Sequence, residues 1–100
     1  GVFVSQSGVP FLQDQELKNI HQKLTKIFHS VNFFMVPVPT YIGGCMCLSF
    51  ATDNKDLINT KVETITTRLQ NSNIINLKYY NAKVHVAAFA VPEFIKKIIA

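Results

Sequence analysis

The sequence predicts an α/β fold built on an open sheet, and three observations carry that expectation. Runs of β-branched and aromatic residues at Val2 to Gln6, Asn32 to Val38 and Cys45 to Ala51 have the length and composition of strands. Between the first two lies a stripe of apolar residues at helical spacing. With 48% apolar and 16% charged residues in 100, the chain has to bury a large share of itself, which excludes disorder. That length fits one small domain or a piece of a larger one.

The first strand, VFVSQ, is apolar and then turns polar at Ser5, Gln6 and Ser7 before Gly8, the pattern of a buried strand that stops at a loop. Because the sequence begins inside that strand, without an initiator methionine or a polar lead-in, it is expected to be cut from a longer chain. Pro10 separates the strand from a helix over Asp14 to Phe28. Leu17, Ile20, Leu24, Ile27 and Phe28 form its apolar face, with Asp14 and Glu16 at the start and Lys26 and His29 at the end, as the helix dipole favours. The six-residue connection PTYIGG between the next two apolar runs favours an antiparallel hairpin. A second helix is expected from Asp56 to Gln70, with Leu57, Ile58, Val62, Ile65 and Leu69 inward, although its threonines are weak helix formers. Asn71 to Asn76 is rich in turn residues. The remainder predicts a short extended piece and two short helices divided at Pro92, a residue suited to a first helical position.

Two architectures accommodate this order. In one, the strands at Val2 and Asn32 are neighbours or near-neighbours in a parallel sheet, the helix crosses between them, and the hairpin adds one antiparallel member at the edge. In the other, an extended stretch near Leu77 completes a self-contained ferredoxin-like β-α-β-β-α-β sandwich, a small-molecule binding or regulatory module without catalysis. The near-continuous apolar strand at the very start favours the first.

Composition also narrows the function. The net charge is +4, but apart from Lys96 and Lys97 the basic residues are scattered singly and never interleaved with aromatics, so no nucleic-acid partner is expected. The apolar span from Val31 to Ala51 is broken at its centre by Pro37, Pro39, Gly43 and Gly44, which argues against a membrane segment, and no charged leader precedes an apolar run. Cys45 and Cys47 lie two apart on one face of a strand, poorly placed for a mutual disulfide, and the three histidines show no ligand spacing with them. Free thiols, no metal and a cytoplasmic location are the expectation. There is no glycine-rich phosphate loop, no nucleophile with a spaced histidine and acid, and no paired carboxylates. His21 is expected on the polar helix face, His29 at a helix end, and His85 as a partly buried structural residue. No catalytic residue is assigned.

What remains is a rim. In an open parallel sheet, ligands sit beyond the carboxyl ends of the strands. Gln6 ends the first strand, and Thr40 and Tyr41 end the second, so parallel strands would bring Gln6 and Tyr41 to one edge. There the prolines stiffen the approach, the glycines let the chain reverse, and a phenol and an amide can orient an amine or a nucleoside. Tyr41 covering the sheet end and Gln6 capping a loop is the structural alternative.

The tail, LKYYNAKVHVAAFAVPEF, resembles the C-terminal signature of spermidine synthases, the polyamine aminopropyltransferases. GVFVSQSGVPFLQ resembles that family's late strand and loop, PTYIGG its P-T-Y turn, and LSFATDN the following strand of its bacterial members. The resemblance spans essentially the whole sequence. It implies the C-terminal part of a Rossmann-like, methyltransferase-type catalytic domain, with a mixed sheet ending in an antiparallel hairpin and with residues 1–100 lacking the N-terminal β domain and the donor-binding half. It also implies aminopropyl transfer from decarboxylated S-adenosylmethionine to putrescine, giving spermidine and 5'-methylthioadenosine, without a further cofactor. Gln6 and Tyr41 match positions lining the polyamine pocket, whereas the family's aspartate base and donor loop fall outside this stretch, so this chain alone is expected to be inactive. Val86 follows His85 where some members carry arginine. The full-length protein is expected to be a homo-oligomer, dimer or tetramer.

Overall fold

The computed structural model describes all residues from Gly1 to Ala100. Three strands, β1 (Val2–Gly8), β2 (Ser30–Pro37) and β3 (Cys45–Thr52), are accompanied by helices α1 (Asp14–Thr25), α2 (Val62–Asn71), α3 (Ala82–Ala88) and α4 (Glu93–Ile99), with a 3-10 turn at Leu57–Asn59 before α2. The strand order is β1-β3-β2, and both pairings are antiparallel. β1 and β2 therefore run in the same direction as near-neighbours, with α1 crossing between them. The hairpin strand β3 does not finish the sheet at its edge, as expected from sequence, but is inserted at its centre. In this chain the sheet is wholly antiparallel, not mixed.

Burial explains that order. β3 carries Met46, Cys47, Ser49, Ala51 and Thr52, all nearly inaccessible to solvent, as a strand paired on both edges should. β1 pairs on one edge only, and its Val2, Phe3 and Val4, expected to be buried, are 45–49% exposed. The ferredoxin-like alternative shares this β-α-β-β arrangement but needs a fourth strand near Leu77. Residues 74–81 contain no strand, and Asn73 and Asn76 turn the chain there at positive φ.

Helices cover both faces of the sheet. On one, Leu17 of α1 and Ile95 of α4 close over Phe33 and Cys47, with Ile20, Val31, Met35 and Phe94 around them. On the other, Phe89 at the end of α3 packs against Phe34 and Phe50 at ring-centroid distances of 5.2 Å each, and α2 leans on α3. His21 belongs to the first packing layer, not to a polar face. It is half-buried with its ring 6.0 Å from that of Phe33, and desolvation holds its pKa below the ordinary histidine value.

Element ends differ from the sequence expectation for local reasons. α1 closes at Thr25 instead of Phe28, because the amides of Ile27 and Phe28 both fold back onto the carbonyl of Leu24. The helix expected over Asp56 to Gln70 is interrupted: Thr60 is extended, with ψ of 126°, and its hydroxyl donates to the Leu57 carbonyl at 2.7 Å, ending the 3-10 turn. Pro92 stands one residue before α4, at its N-cap.

Candidate functional site

The site grows from two loops that meet at one end of the sheet. β1 stays in register with β3 down to Gln6, opposite Leu48, and then shifts by a bulge before Gly8 pairs with Cys47. A bulge re-aims the side chains beside it. Gly8 has a φ of +102°, and a Cβ there would lie 2.9 Å from Oε1 of Gln13, so only glycine lets the Gln13 side chain fold back across the strand end. Folded back, Gln13 accepts the Val9 amide at 2.8 Å through Oε1 and donates through Nε2 to Oε2 of Glu16 at 2.9 Å.

The second loop joins β2 to β3. The Val38 amide donates to the Gly44 carbonyl at 2.8 Å, and inside that closure the Tyr41 amide donates to Val38 and its carbonyl accepts from Gly44, each at 3.0 Å. Gly43 and Gly44 take φ of +93° and +75° to make the reversal. A Cβ on Gly43 would come within 3.0 Å of the Val9 side chain, so this glycine also lets the hairpin turn approach the β1–α1 loop. Tyr41 is thereby held between a rigid Val38-Pro39 approach and two residues free to adopt left-handed backbone.

Gln6 and Tyr41 come together. Nε2 of Gln6 donates to the Tyr41 hydroxyl at 3.4 Å and also contacts the sulfur of Met46 at 3.8 Å. With Gly8, Gln13 and Glu16 they line a cavity of about 310 Å³. Its lining offers both donors and acceptors, namely the Gln6 and Gln13 amides and the Tyr41 hydroxyl, together with the Met46 thioether and one anionic group, the Glu16 carboxylate. No lysine, arginine or histidine lines it. An ammonium offers donors and no acceptor, and a lining with one carboxylate, amide and phenol oxygens and no cation can receive it.

Gln13 and Glu16 were missing from the sequence-based site. Their signal was present in QDQE, a polar run that opens α1 after the loop that follows β1, but helix-capping chemistry accounts for such a run equally well. His85 is placed as expected, half-buried, with Nδ1 2.7 Å from the Tyr80 hydroxyl, beside a separate apolar cavity under α3. Cys45 and Cys47 are free thiols, and no cluster of three or more histidine, cysteine or carboxylate side chains has metal-binding geometry. No helix is long and apolar enough to cross a membrane.

The spermine/spermidine synthase domain family matches residues 1–62, and the chain belongs to that family. It is 39% identical over 100 residues to a polyamine aminopropyltransferase of Erwinia tasmaniensis, and 42% identical over 100 residues to one of Escherichia coli O1:K1. Both alignments take in the whole of this chain but only 35% and 34% of those proteins, so the chain spans about a third of the curated relatives it matches. Among solved structures, spermidine synthase from Thermotoga maritima superposes on 99% of the chain with a TM-score of 0.84 at 31% identity, over 33% of its own length. A spermidine synthase in complex with the transition-state analogue AdoDATO gives a TM-score of 0.82 at 30% identity, covering 99% of this chain and 32% of its own.

Proposed function

We propose that this chain is the C-terminal part of an aminopropyltransferase that transfers the aminopropyl group of decarboxylated S-adenosylmethionine to putrescine, releasing spermidine and 5'-methylthioadenosine. The observation that carries this reading is the meeting of Gln6 and Tyr41 in one polar cavity that holds a carboxylate and no cation, in a chain whose relatives bear that activity's name. Two strands of like direction joined by a crossover helix support assignment to a Rossmann-like, methyltransferase-type domain, and the free edge of β1 is where further strands of that sheet would pair. The reading extends to a cytoplasmic enzyme that assembles as a dimer or tetramer.

The chemistry is displacement at a carbon activated by a sulfonium. The attacking amine loses its proton, its lone pair forms the new C–N bond, and the C–S bond breaks to leave a neutral thioether. An enzyme accelerates this by aligning amine, carbon and sulfur in line and by keeping the amine neutral at the moment of attack. In this chain Gln6 and Tyr41 bind and orient the acceptor, while the proton acceptor and the nucleoside site belong to the rest of the protein. Nothing here is asked to form a covalent intermediate.

The test uses the full-length protein that carries this segment. Tyr41→Phe removes one hydrogen bond worth about 1 kcal/mol, and the expected result is a KM for putrescine raised about fivefold with kcat little changed. Unchanged kinetics would take Tyr41 out of the site.

A further inference from the structure

We propose that Glu16 is a specificity-determining residue of this cavity, its carboxylate receiving the second, non-reacting ammonium of a diammonium acceptor. This rests on the acceptor site proposed above and adds a residue and a substrate feature to it. Three observations converge on Glu16. Its orientation is set: the Gln13 amide has its oxygen committed to the Val9 N–H, so its NH2 group faces Glu16 and holds Oε2 at 2.9 Å. Its charge is uncompensated, because the chain's ion pair is Lys96–Glu93, at the other end of the sequence, and no cationic side chain lines the cavity. Finally, its position lies on the helix side of the cavity, whereas Gln6, Met46 and Tyr41 contact one another on the sheet side. The cavity thus has two ends of different chemistry, one neutral and hydrogen-bonding, the other anionic.

The sign of the field matters there. The first turn of α1 presents the positive end of a helix dipole, which disfavours a cation. A full negative charge on Glu16 in that turn outweighs the half-charge of the dipole and reverses the preference. A monoamine gains nothing from that reversal once its one nitrogen occupies the neutral end, so the arrangement discriminates by the number of ammonium groups. Gln13 acts as a positioning residue, since its amide holds the Glu16 carboxylate.

The experiment compares the full-length protein with its Glu16→Gln and Gln13→Ala variants, using putrescine as acceptor and n-butylamine as a competing ligand. Glu16→Gln keeps the shape and the partner of the side chain while removing its charge. The expected result is a KM for putrescine raised about fivefold, the size of a partly exposed charge contact, with kcat within about twofold and the inhibition constant of n-butylamine unchanged. Gln13→Ala is expected to shift the putrescine KM in the same direction by less. Calorimetric titration with putrescine reads the same contrast without turnover. Equal putrescine affinity in parent and Glu16→Gln, or equal weakening of both amines, would overturn the role of Glu16. Absence of transfer by the parent protein would instead overturn the proposed function, whatever the titration shows.

Discussion

Cys47 shows what the centre of β3 does to a single residue. It has no exposed surface, and burial, with the neighbouring Cys45 thiol adding to it, pushes its pKa up to about 11 from an ordinary value of 9.0. The folded thiol stays protonated at a pH where the unfolded one has begun to ionise. Unfolding therefore releases a proton between pH 9.0 and about 11, and the stability this thiol contributes, intact below 9.0, is lost as the pH rises through that window. Chemical denaturation of the full-length protein at pH 8 and pH 10 should show a lower midpoint at pH 10, with Cys47→Ala reducing the difference; an undiminished difference would place the titrating group elsewhere. At this scale the sequence was partly legible. Gln6 and Tyr41 could be placed at one rim because each follows an apolar run and precedes turn residues. Glu16 could not, because its role depends on Gln13 folding back over Gly8, and no spacing rule encodes that contact.

Helix α3 makes a sharper point about elements. It is only seven residues long, too short to be stable by propensity, and is held by its cap and by the Phe89 wedge. Oδ1 of Asn81 accepts the Val84 amide at 2.8 Å. Asn81→Ala should cost about 1 kcal/mol and loosen the Tyr80–His85 contact that spans the same turn, which thermal unfolding of the full-length protein would register as a lowered Tm. An unchanged Tm would mean that packing alone holds the helix. The helical stripes, the hairpin and the break at Pro92 were readable because local periodicity and turn chemistry determine them. The insertion of β3 between β1 and β2 was not, since CMCLSFAT and VFVSQ are both apolar enough for either a central or an edge position. The interruption at Thr60 was hidden for a related reason: the apolar spacing continues through it, and a single side-chain hydrogen bond stops the helix.

Across the whole molecule, only 15 of 100 residues are buried, while Val2, Phe3, Val4, Ile74, Ile75 and Leu77 are among the large apolar side chains left in water. A chain with 48% apolar residues that buries so few of them has its core only partly assembled. Its spread reflects this, with a radius of gyration of 14.3 Å against the roughly 13 Å expected for a compact chain of this length. These features agree with the finding that its relatives are about three times as long; in the function proposed above, this segment supplies the acceptor-facing rim. The central claim is aminopropyl transfer by the whole protein, so the most direct measurement is to incubate the full-length protein with decarboxylated S-adenosylmethionine and putrescine and quantify both products. The account predicts spermidine and 5'-methylthioadenosine in equal amounts, and neither when putrescine is omitted. Putrescine left unconsumed, or methylthioadenosine released without spermidine, would contradict it.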